Sequence, residues 1–432
     1  MTDVANDVFN TYLHHDPAVV VEATSADDVR DAVRLAAERS LPVAVRATGH
    51  GMARSADGAV LVVTRGLTGL EVDPDTKTAR VEPGVLAAQL IAEAAKYGLA
   101  PLNGASPAVG VTGYTLGGGL GPLGRAYGYN ADHVRELSVV TADSQLRTAP
   151  DDLAWATLGG KGNFGIVTSL ELGLVEVSRL YGGGIFFPGE AVADILHAWR
   201  EWTATVPDEM SSSLALLRLP PLDVIPEPLR GRFVVHLRIA YLGEVADGER
   251  LVAPLRALAP AIIDTVADMP YTEVGSIHQD PTTPAPAVDR NALLRALDSS
   301  TVDTLLEFTG ADAADPLGVV ELRHLGGALA RPPARPNAVP FREGGFSVFT
   351  AAIAAGPPEE VAGIQARQAT FVDALAPWRL GGPYVPFMGA GDAPETVASA
   401  YDPDTYRRLR EVKTAYDPRN LFRVNPNIPP LR

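Results

Sequence analysis

The chain has 432 residues, of which 46% are hydrophobic, and its formal net charge at pH 7 is −16. This length predicts roughly two to three domains, with enough apolar side chains to build a core in each. The negative charge and the lack of a basic cluster argue against a nucleic-acid partner. Because the chain has no cysteine, disulfides, thiolate nucleophiles and cysteine-ligated metals are excluded.

No stretch of the sequence predicts a membrane anchor or a leader. The apolar runs fall short of the roughly 18 residues that span a bilayer. The first residues also lack the basic region of a signal peptide. We therefore expect a cytoplasmic protein with no membrane partner. The eight histidines show none of the spacings typical of metal ligands, so we also expect no metal site.

Helices and strands alternate along roughly the first 178 residues. Ser25 and Asp28 have the spacing of a capping box, which predicts a helix with Val29 and Val33 on its apolar face. The next predicted elements are a strand at 41–45, a loop at 46–51, a strand at 60–64, a strand at 78–82, a helix at 86–96 and a strand at 166–174.

The pattern changes near residue 180, where the predicted strands become longer and alternate strictly. The clearest, at 233–241, is typical of an antiparallel sheet with one covered face. Long helices are predicted at 191–206, 249–258 and 361–375. Together with the first part, this pattern predicts an α+β fold.

Two proline-rich stretches, 281–286 and 331–340, are interpreted as surface loops. These loops either lie over or beside a functional site, or they only connect neighbouring elements. A last helix carries Tyr406, Leu409, Val412 and Tyr416 on one side, and so many aromatic and apolar side chains predict that it docks on the rest of the chain.

The loop Arg46-Ala-Thr-Gly-His-Gly51 lies between two predicted strands. Its glycines leave backbone N–H groups free to face a ligand, and such groups bind phosphate well. His50 lies where its imidazole could reach that ligand. The alternative is an ordinary turn histidine.

A second unusual stretch, at 104–124, is rich in glycine. Each glycine costs conformational entropy on folding, which close approach to a flat or charged ligand would offset. Gly119, Gly121 and Gly124 match the spacing of a dinucleotide-binding fingerprint, but no strand leads into them and Pro122 interrupts them. We therefore reject a Rossmann fold. The glycines around Lys161 lack the spacing of a P-loop and predict a turn.

Three separated pieces of this sequence resemble the FAD-linked oxidases of the vanillyl-alcohol oxidase superfamily, in the berberine-bridge-enzyme-like branch. They are the loop 46–51, the glycine-rich stretch with 162–167, and the C-terminal stretch 406–429. The resemblance implies a PCMH-type FAD-binding domain of two α/β subdomains at 1–178. It further implies a substrate domain at 179–388, with an antiparallel sheet flanked by helices, and a segment at 389–432 that returns to the FAD-binding domain.

The resemblance also implies the residues that bind FAD. In the family, the histidine of the first loop bonds covalently to the flavin, and here it is His50. Ser106 stands where some members carry a cysteine that forms a second link, so the resemblance implies a single link. The implied cofactor-binding residues are Arg46, Ala47, Thr48, Gly49, His50, Gly51, Ser106, Val109, Gly110, Thr112, Gly113, Gly117, Gly165, Ile166, Val167 and Asn425.

Catalytic residues are harder to assign. Sugar-oxidising members of the family use a tyrosine as base at the position of Phe387, so that base is missing here. Tyr384 and Tyr114 are candidate substitutes. Glu321 is a third candidate, because it shares a strand face with Arg323, although the two could form a salt bridge without a chemical role. A further candidate lining segment contains His278, which could equally be structural.

These expectations together describe an oxidase. Hydride would pass from a small-molecule amine or activated alcohol to FAD, and molecular oxygen would reoxidise the flavin. One alternative is a dehydrogenase with another electron acceptor. Another is a redox-neutral cyclase or binding protein on the same fold. The oligomeric state is left open.

Overall fold

A computed structural model of the protein describes residues 3–51, 53–389 and 394–431; residues 1, 2, 52, 390–393 and 432 lie outside it. The strands are β1 (Val19–Glu22), β2 (Val43–Arg46), β3 (Val60–Val63), β4 (Leu70–Asp73), β5 (Thr78–Val81), β6 (Val134–Val140), β7 (Leu146–Thr148), β8 (Ile166–Gly173), β9 (Arg179–Pro188), β10 (Met210–Arg218), β11 (Phe233–Tyr241), β12 (Ile263–Asp264), β13 (Ala267–Pro270), β14 (Ala287–Leu294), β15 (Val319–His324) and β16 (Phe346–Ile353).

The helices are α1 (Ala26–Arg39), α2 (Ala87–Ala95), α3 (Val111–Leu116), α4 (Gly124–Tyr127), α5 (Asp151–Gly160), α6 (Val192–Thr203), α7 (Val245–Arg256), α8 (Ser299–Thr309), α9 (Pro358–Ala374) and α10 (Pro403–Tyr416). None of the described helices is long and apolar enough to cross a membrane.

The first sheet is parallel and has the strand order β1-β3-β2. Helix α1 covers one face with Val29, Val33 and Ala36, and the predicted capping box of Ser25 and Asp28 is present at its start. The loop 46–51 follows β2 directly, so this small sheet carries the first candidate site segment at the carboxyl end of a strand.

The second sheet is antiparallel, with the order β4-β5-β8-β6-β7. Its core packs with residues of α2, α3, α5 and α10. Strand β8 follows the predicted alternation only from Leu170 onward: a register shift against β6 places Val167 in the same core as Leu170 and Leu172 and Ile166 in the core of the first sheet, so the expected common side for Ile166 and Leu170 is wrong. Gly165, which precedes β8, has φ +152°, and a side chain there would approach the carbonyl oxygen of Val140 to 2.6 Å. This position therefore requires glycine.

The third sheet is the largest, with the order β12-β9-β11-β10-β15-β16-β14 and with β13 paired to β9. Residues of α6, α7, α8 and α9 cover its apolar face, where Trp199 and Phe371 are fully buried. The opposite face of its central strands carries polar side chains. Those of β11 are nearly all buried as well, so the expectation of a single covered face is wrong. Alternation indicates which side is apolar, but it does not show whether the polar side meets water or protein.

Helix boundaries differ from the sequence prediction mainly at the first turns. Helix α7 begins at Val245 instead of 249, because its first turn contains Asp247 and Gly248, which hide the apolar periodicity. Helix α9 begins at Pro358 instead of 361, since proline is well suited to the first helical position. The overall α+β arrangement is as predicted.

The two proline-rich stretches have different environments. Residues 281–284 are exposed, as expected for a surface loop. In the other stretch, the Ala338 N–H donates to the carbonyl oxygens of Trp155, at 3.1 Å, and Leu158, at 2.8 Å. Ala338 and Val339 are buried there, against the part of the fold that contains the glycine-rich stretch.

Candidate active site

The loop 46–51 is held against the N-terminal segment. The N–H of Phe9 donates to the Thr48 carbonyl at 3.0 Å, and that of Asn10 donates to the Gly49 carbonyl at 3.3 Å. Gly49 has φ +75°, and a side chain there would approach Val8 to 2.7 Å, so the turn requires glycine. The carbonyls of the loop thus point to protein. The N–H groups of residues 47–51 donate to none of the described residues, which leaves them available to an anion.

His50 is oriented by two contacts. Its ring stacks on Phe9 with centroids 3.8 Å apart and an interplanar angle of 12°. Its Nδ1 lies 2.8 Å from the Thr48 hydroxyl. The second nitrogen, Nε2, is buried and finds no hydrogen-bond partner within the described parts of the chain. Burial lowers the pKa of His50 to about 4, so the imidazole is neutral near neutral pH. A neutral ring with one fixed and one unpartnered nitrogen fits covalent attachment to a flavin through Nε2.

The Arg46 side chain does not face this ligand space. It is buried, and its guanidinium donates to the carbonyl oxygens of Ala5, at 2.6 Å, and Val4, at 2.5 Å. The side chain therefore fastens the N-terminal segment to β2. Within the described residues its Nε has no partner, so both Nη atoms are used by the N-terminal segment, while Nε and the backbone of Arg46 are not.

The glycine-rich stretch meets the first loop at the start of α3. A side chain at Gly110 would lie 3.8 Å from the Thr48 methyl and 3.9 Å from the Ala47 side chain. Thr112, two residues later, is buried and its hydroxyl has no partner within the described ranges. Around Gly113 the space is open to 4 Å. The remaining expected positions on this side are Ser106 and Val109, in the turn that leads into α3, and Gly117 at its end.

Several glycines of this stretch have a packing role that the sequence interpretation missed. Side chains at Gly104 and Gly119 would approach the Tyr114 ring to 2.9 and 2.8 Å. One at Gly121 would lie 1.9 Å from the carbonyl oxygen of Asn103. Part of the glycine content therefore makes room for Tyr114 and the neighbouring backbone, and only part of it is free for a ligand.

The third predicted piece joins the C-terminal tail to the turn before β8. Asn425 donates from Nδ2 to the Gly162 carbonyl at 3.1 Å, while its Oδ1 is buried without a described partner. Ile166 and Val167 place their side chains in hydrophobic cores. With Gly165 packed on the neighbouring strand, these three expected residues can meet a cofactor only through their backbone.

Two residues that the sequence analysis did not select hold this junction together. Asn163 accepts from the N–H of Ile428 at 2.8 Å and donates to the Pro426 carbonyl at 2.9 Å. Lys413, fully buried, donates from Nζ to the Asn163 carbonyl and the Asp417 carboxylate, each at 2.7 Å. A lysine on the apolar side of a helix was the sequence signal that could have revealed this buried pair.

Across the fold, the polar face of the large sheet carries a buried ionic cluster. Glu321 on β15 accepts from Arg323 Nε at 3.0 Å and Nη2 at 2.9 Å, and its other oxygen accepts from Arg238 on β11. Burial alone would raise the pKa of Glu321, but Arg323 and Arg238 outweigh it and hold the pKa below its usual value. Glu321 is therefore an ionised carboxylate with both oxygens engaged, which suits a positioning role better than that of a base.

The two candidate tyrosines are also poor bases. The Tyr384 hydroxyl lies 2.5 Å from that of Tyr129, and burial raises the pKa of Tyr384 well above its ordinary value. The Tyr114 hydroxyl donates to the Leu102 carbonyl at 3.0 Å, and burial likewise raises its pKa. Both phenols are neutral near neutral pH. Their contacts favour hydrogen bonding over proton removal.

A cleft separates the polar sheet face from the glycine-rich stretch. Residues 120–122 form one wall, and Ser213, Arg238, His278 and Arg323 contribute to the other. Of the three pieces selected from the sequence, the glycine-rich stretch contributes lining residues to this cleft, and it meets there the candidate lining residue His278 and the polar strands of the large sheet. Among the described residues, no group of His, Asp and Glu could hold a metal ion.

Comparison with known proteins identifies the cofactor of this arrangement. Residues 17–149 match the family described as FAD binding domain, and residues 387–429 match the family described as berberine and berberine like. (R)-6-hydroxynicotine oxidase of Paenarthrobacter nicotinovorans is 28% identical over 429 residues, which cover 96% of this chain and 91% of the relative.

Solved structures agree with the fold. The crystal structure of 6-hydroxy-D-nicotine oxidase from Arthrobacter nicotinovorans superposes with a TM-score of 0.83 at 26% identity, covering 99% of this chain and 95% of that chain. Two variants of Phl p 4, one described as a glucose dehydrogenase and one as a glucose oxidase, are 19% identical with TM-scores of 0.81 and 0.82, covering 99% of this chain and 94% of theirs. These matches confirm the predicted fold class and FAD as the cofactor.

We expect the substitution Lys413→Met to destabilise the protein strongly. It removes the ion-pair partner of the buried Asp417 carboxylate, which keeps only its hydrogen bonds from the N–H groups of Leu421 and Phe422. Breaking comparable buried pairs costs about 3–5 kcal/mol. The matched control is Lys96→Met, because Lys96 forms an exposed pair with Glu93. The control should change the free energy of unfolding far less, because exposed ion pairs are screened by solvent. Urea unfolding of both variants measures the difference, and equal losses would contradict the structural role of Lys413.

Proposed function

We propose that this chain, which belongs to the FAD-linked oxidoreductases and carries a berberine-like C-terminal segment, works as an oxidase of a small molecule. The observation that carries the proposal is the buried, unpartnered Nε2 of His50 beside a row of free backbone N–H groups. The oxidase name of the relative that matches 96% of the chain supports the reaction type.

The residues of this chain divide the work of holding FAD. We propose that the N–H groups of residues 47–51 bind the pyrophosphate and that His50 forms one covalent bond to the flavin. Unpaired buried oxygens on Thr112 and Asn425 are available for polar groups of the cofactor. When bound, FAD supplies the capacity to accept a hydride from a substrate carbon. Boundaries at 178 and 388 remain our proposed limits of the FAD-binding and substrate domains.

On the substrate side, the chain offers donors and no strong base. Tyr114 and Tyr384 have raised pKa values, and Glu321 is neutralised by two arginines. We propose that the phenols orient the substrate and that Glu321 positions Arg323. A substrate that needs little base assistance fits this environment, which favours an amine or an activated alcohol.

The reduced flavin can pass its electrons to oxygen or to another acceptor. The two Phl p 4 variants, one a dehydrogenase and one an oxidase, show that this fold accommodates both outcomes. We propose oxygen because the relative that is 28% identical over 96% of this chain is named an oxidase. A dehydrogenase with another acceptor is the second candidate.

Covalent attachment through His50 is tested by acid precipitation. The wild-type pellet should stay yellow, whereas His50→Ala should release its flavin to the supernatant, because His50 is the histidine of the loop whose N–H groups are proposed to bind the pyrophosphate. His14→Ala is the control, since His14 is an exposed histidine of the same N-terminal region. Colour in the wild-type supernatant would refute the covalent link while leaving FAD binding intact.

The low pKa of His50 predicts how attachment depends on pH. The group is neutral above about pH 5 and becomes protonated only as the pH falls through about 4. The rate at which apoprotein and FAD form the covalent product should therefore change little between pH 5.5 and 8. A histidine with the ordinary pKa of about 6.5 would give a roughly tenfold rise over that range. Non-covalent FAD binding by His50→Ala at each pH serves as the control.

Oxidase activity is tested by the visible absorbance of the bound flavin. Anaerobic mixing with a panel of benzylic amines and alcohols should bleach the flavin with at least one compound, and admission of air should restore the colour within the turnover time. Slow recovery in air together with rapid recovery on adding a quinone would favour a dehydrogenase. If none of the compounds in the panel bleaches the flavin, a redox-neutral role is favoured.

A further inference from the structure

The central strands of the large sheet place a serine between two arginines. On β10, Ser213 pairs in register with Arg238 of β11 on one side and with Arg323 of β15 on the other. Its side chain shares their face of the sheet and borders the cleft. Ser213 is 3% exposed, and its hydroxyl has no partner within the described residues. A buried hydroxyl is rarely left unpaired, so this atom points to a missing ligand.

The two arginines differ in how much of their hydrogen-bonding capacity is used. Arg238 donates to Glu321, to the His278 carbonyl at 3.1 Å and to His236 Nδ1 at 3.1 Å. Arg323 donates from Nε and Nη2 to Glu321, and its Nη1 donates to no residue of the described ranges. Its guanidinium also lies 4.9 Å from the centroid of the Phe387 ring. Arg323 therefore keeps one charged donor for a ligand in the cleft.

A third donor comes from His278, which the sequence analysis left as either structural or site-lining. The residue borders the cleft and is 6% exposed. Its Nδ1 is buried and unpartnered among the residues described. Burial, together with Arg238 and Arg323, holds the pKa of His278 well below its ordinary value. The neutral ring can place its proton on Nδ1 and donate it to an acceptor.

Two carboxylates face the two arginines of the cleft. Glu321 is engaged by both arginines, and the nearest Asp280 oxygen lies 4.0 Å from Arg238. Arg125, which also borders the cleft, has Asp208 at 3.6 Å. Within the described residues, three donors at the cleft have no partner: Arg323 Nη1, the Ser213 hydroxyl and His278 Nδ1. A ligand carboxylate placed against them would find a charge-assisted partner in Arg323 and two neutral donors.

We infer that Arg323, Ser213 and His278 form a carboxylate subsite, so that the substrate is a small acid. This inference rests on the proposed oxidase function and narrows its substrate class: the reacting carbon bears a hydroxyl or an amino group, and the same molecule carries a carboxylate. The carboxylate would accept from the three donors. The hydride would pass from the neighbouring substrate carbon to bound FAD, and the proton of the hydroxyl or amino group would pass to water, which leaves a carbonyl or an imine. Glu321 holds Arg323 in place and does not contact the substrate.

The test uses the flavin-loaded protein and three probes of one shape: benzoate, benzamide and benzylamine. Each is titrated while the visible flavin spectrum is recorded. Benzoate should bind at least about tenfold more tightly than the neutral and cationic probes, because a charge-assisted pair contributes on that scale. Equal affinities, or tightest binding of benzylamine, would overturn the subsite.

Two variants localise the effect. Ser213→Ala removes one donor with little change in side-chain volume. It should weaken the binding of benzoate about fivefold to tenfold and leave the binding of benzamide unchanged. Arg323→Lys keeps the charge that balances Glu321 but loses the several N–H donors of the planar guanidinium, so it should weaken the binding of benzoate further. Ser169→Ala, on β8 of the second sheet, is the matched control. Unchanged benzoate binding in both cleft variants would overturn the inference.

The outcomes also separate this inference from the oxidase proposal. With mandelate and benzyl alcohol as a substrate pair, preferential anaerobic bleaching by mandelate supports both. Bleaching by benzyl alcohol with no binding of benzoate retains the oxidase and overturns the subsite. Tight benzoate binding without bleaching by any compound overturns the oxidase and retains an anion-binding cleft.

Discussion

The buried ammonium of Lys413 is the interaction on which the cofactor side of the molecule depends. It satisfies the carbonyls of Asn163 and Phe422 and the carboxylate of Asp417 at one point. Through it, helix α10, the turn before β8 and the end of the chain become a single unit. A charge this deep is tolerated only when every donor is used, and here three acceptors meet it. The expected contact between Asn425 and the FAD-binding part follows from this junction.

A second buried charge, that of Glu321, lies on the polar face of the large sheet. Glu321 accepts hydrogen bonds from two arginines on different strands of the large sheet. Both oxygens of the carboxylate are therefore engaged within the site, which is consistent with the positioning role proposed for it. Phe387 occupies the position where the sequence comparison expected a tyrosine base, and its ring packs against the Arg323 guanidinium.

The glycines of the candidate site have two different structural roles. At Gly49 and Gly165 the backbone adopts positive φ under close contact, and the fold alone requires glycine. At Gly104, Gly119 and Gly121 the absent side chain makes room for Tyr114 and Asn103. Open space remains at Gly113. A sequence interpretation that assigns every glycine to a ligand therefore overestimates the ligand contacts, because protein atoms fill the same volume.

The sequence by itself determined the α+β class, the capping box before Val29, the alternation of β11, and the three separated segments of an FAD-binding protein. These follow from local periodicity, turn chemistry and motif order, which short stretches of chain encode. Only the tertiary structure decided that the Arg46 side chain faces the N-terminal segment, that Glu321 is neutralised by two arginines, and that Ser213 and His278 border the same cleft. Each of these depends on which distant strands become neighbours, and strand pairing across 110 residues leaves no local trace, as the register of Ser213 with Arg323 shows.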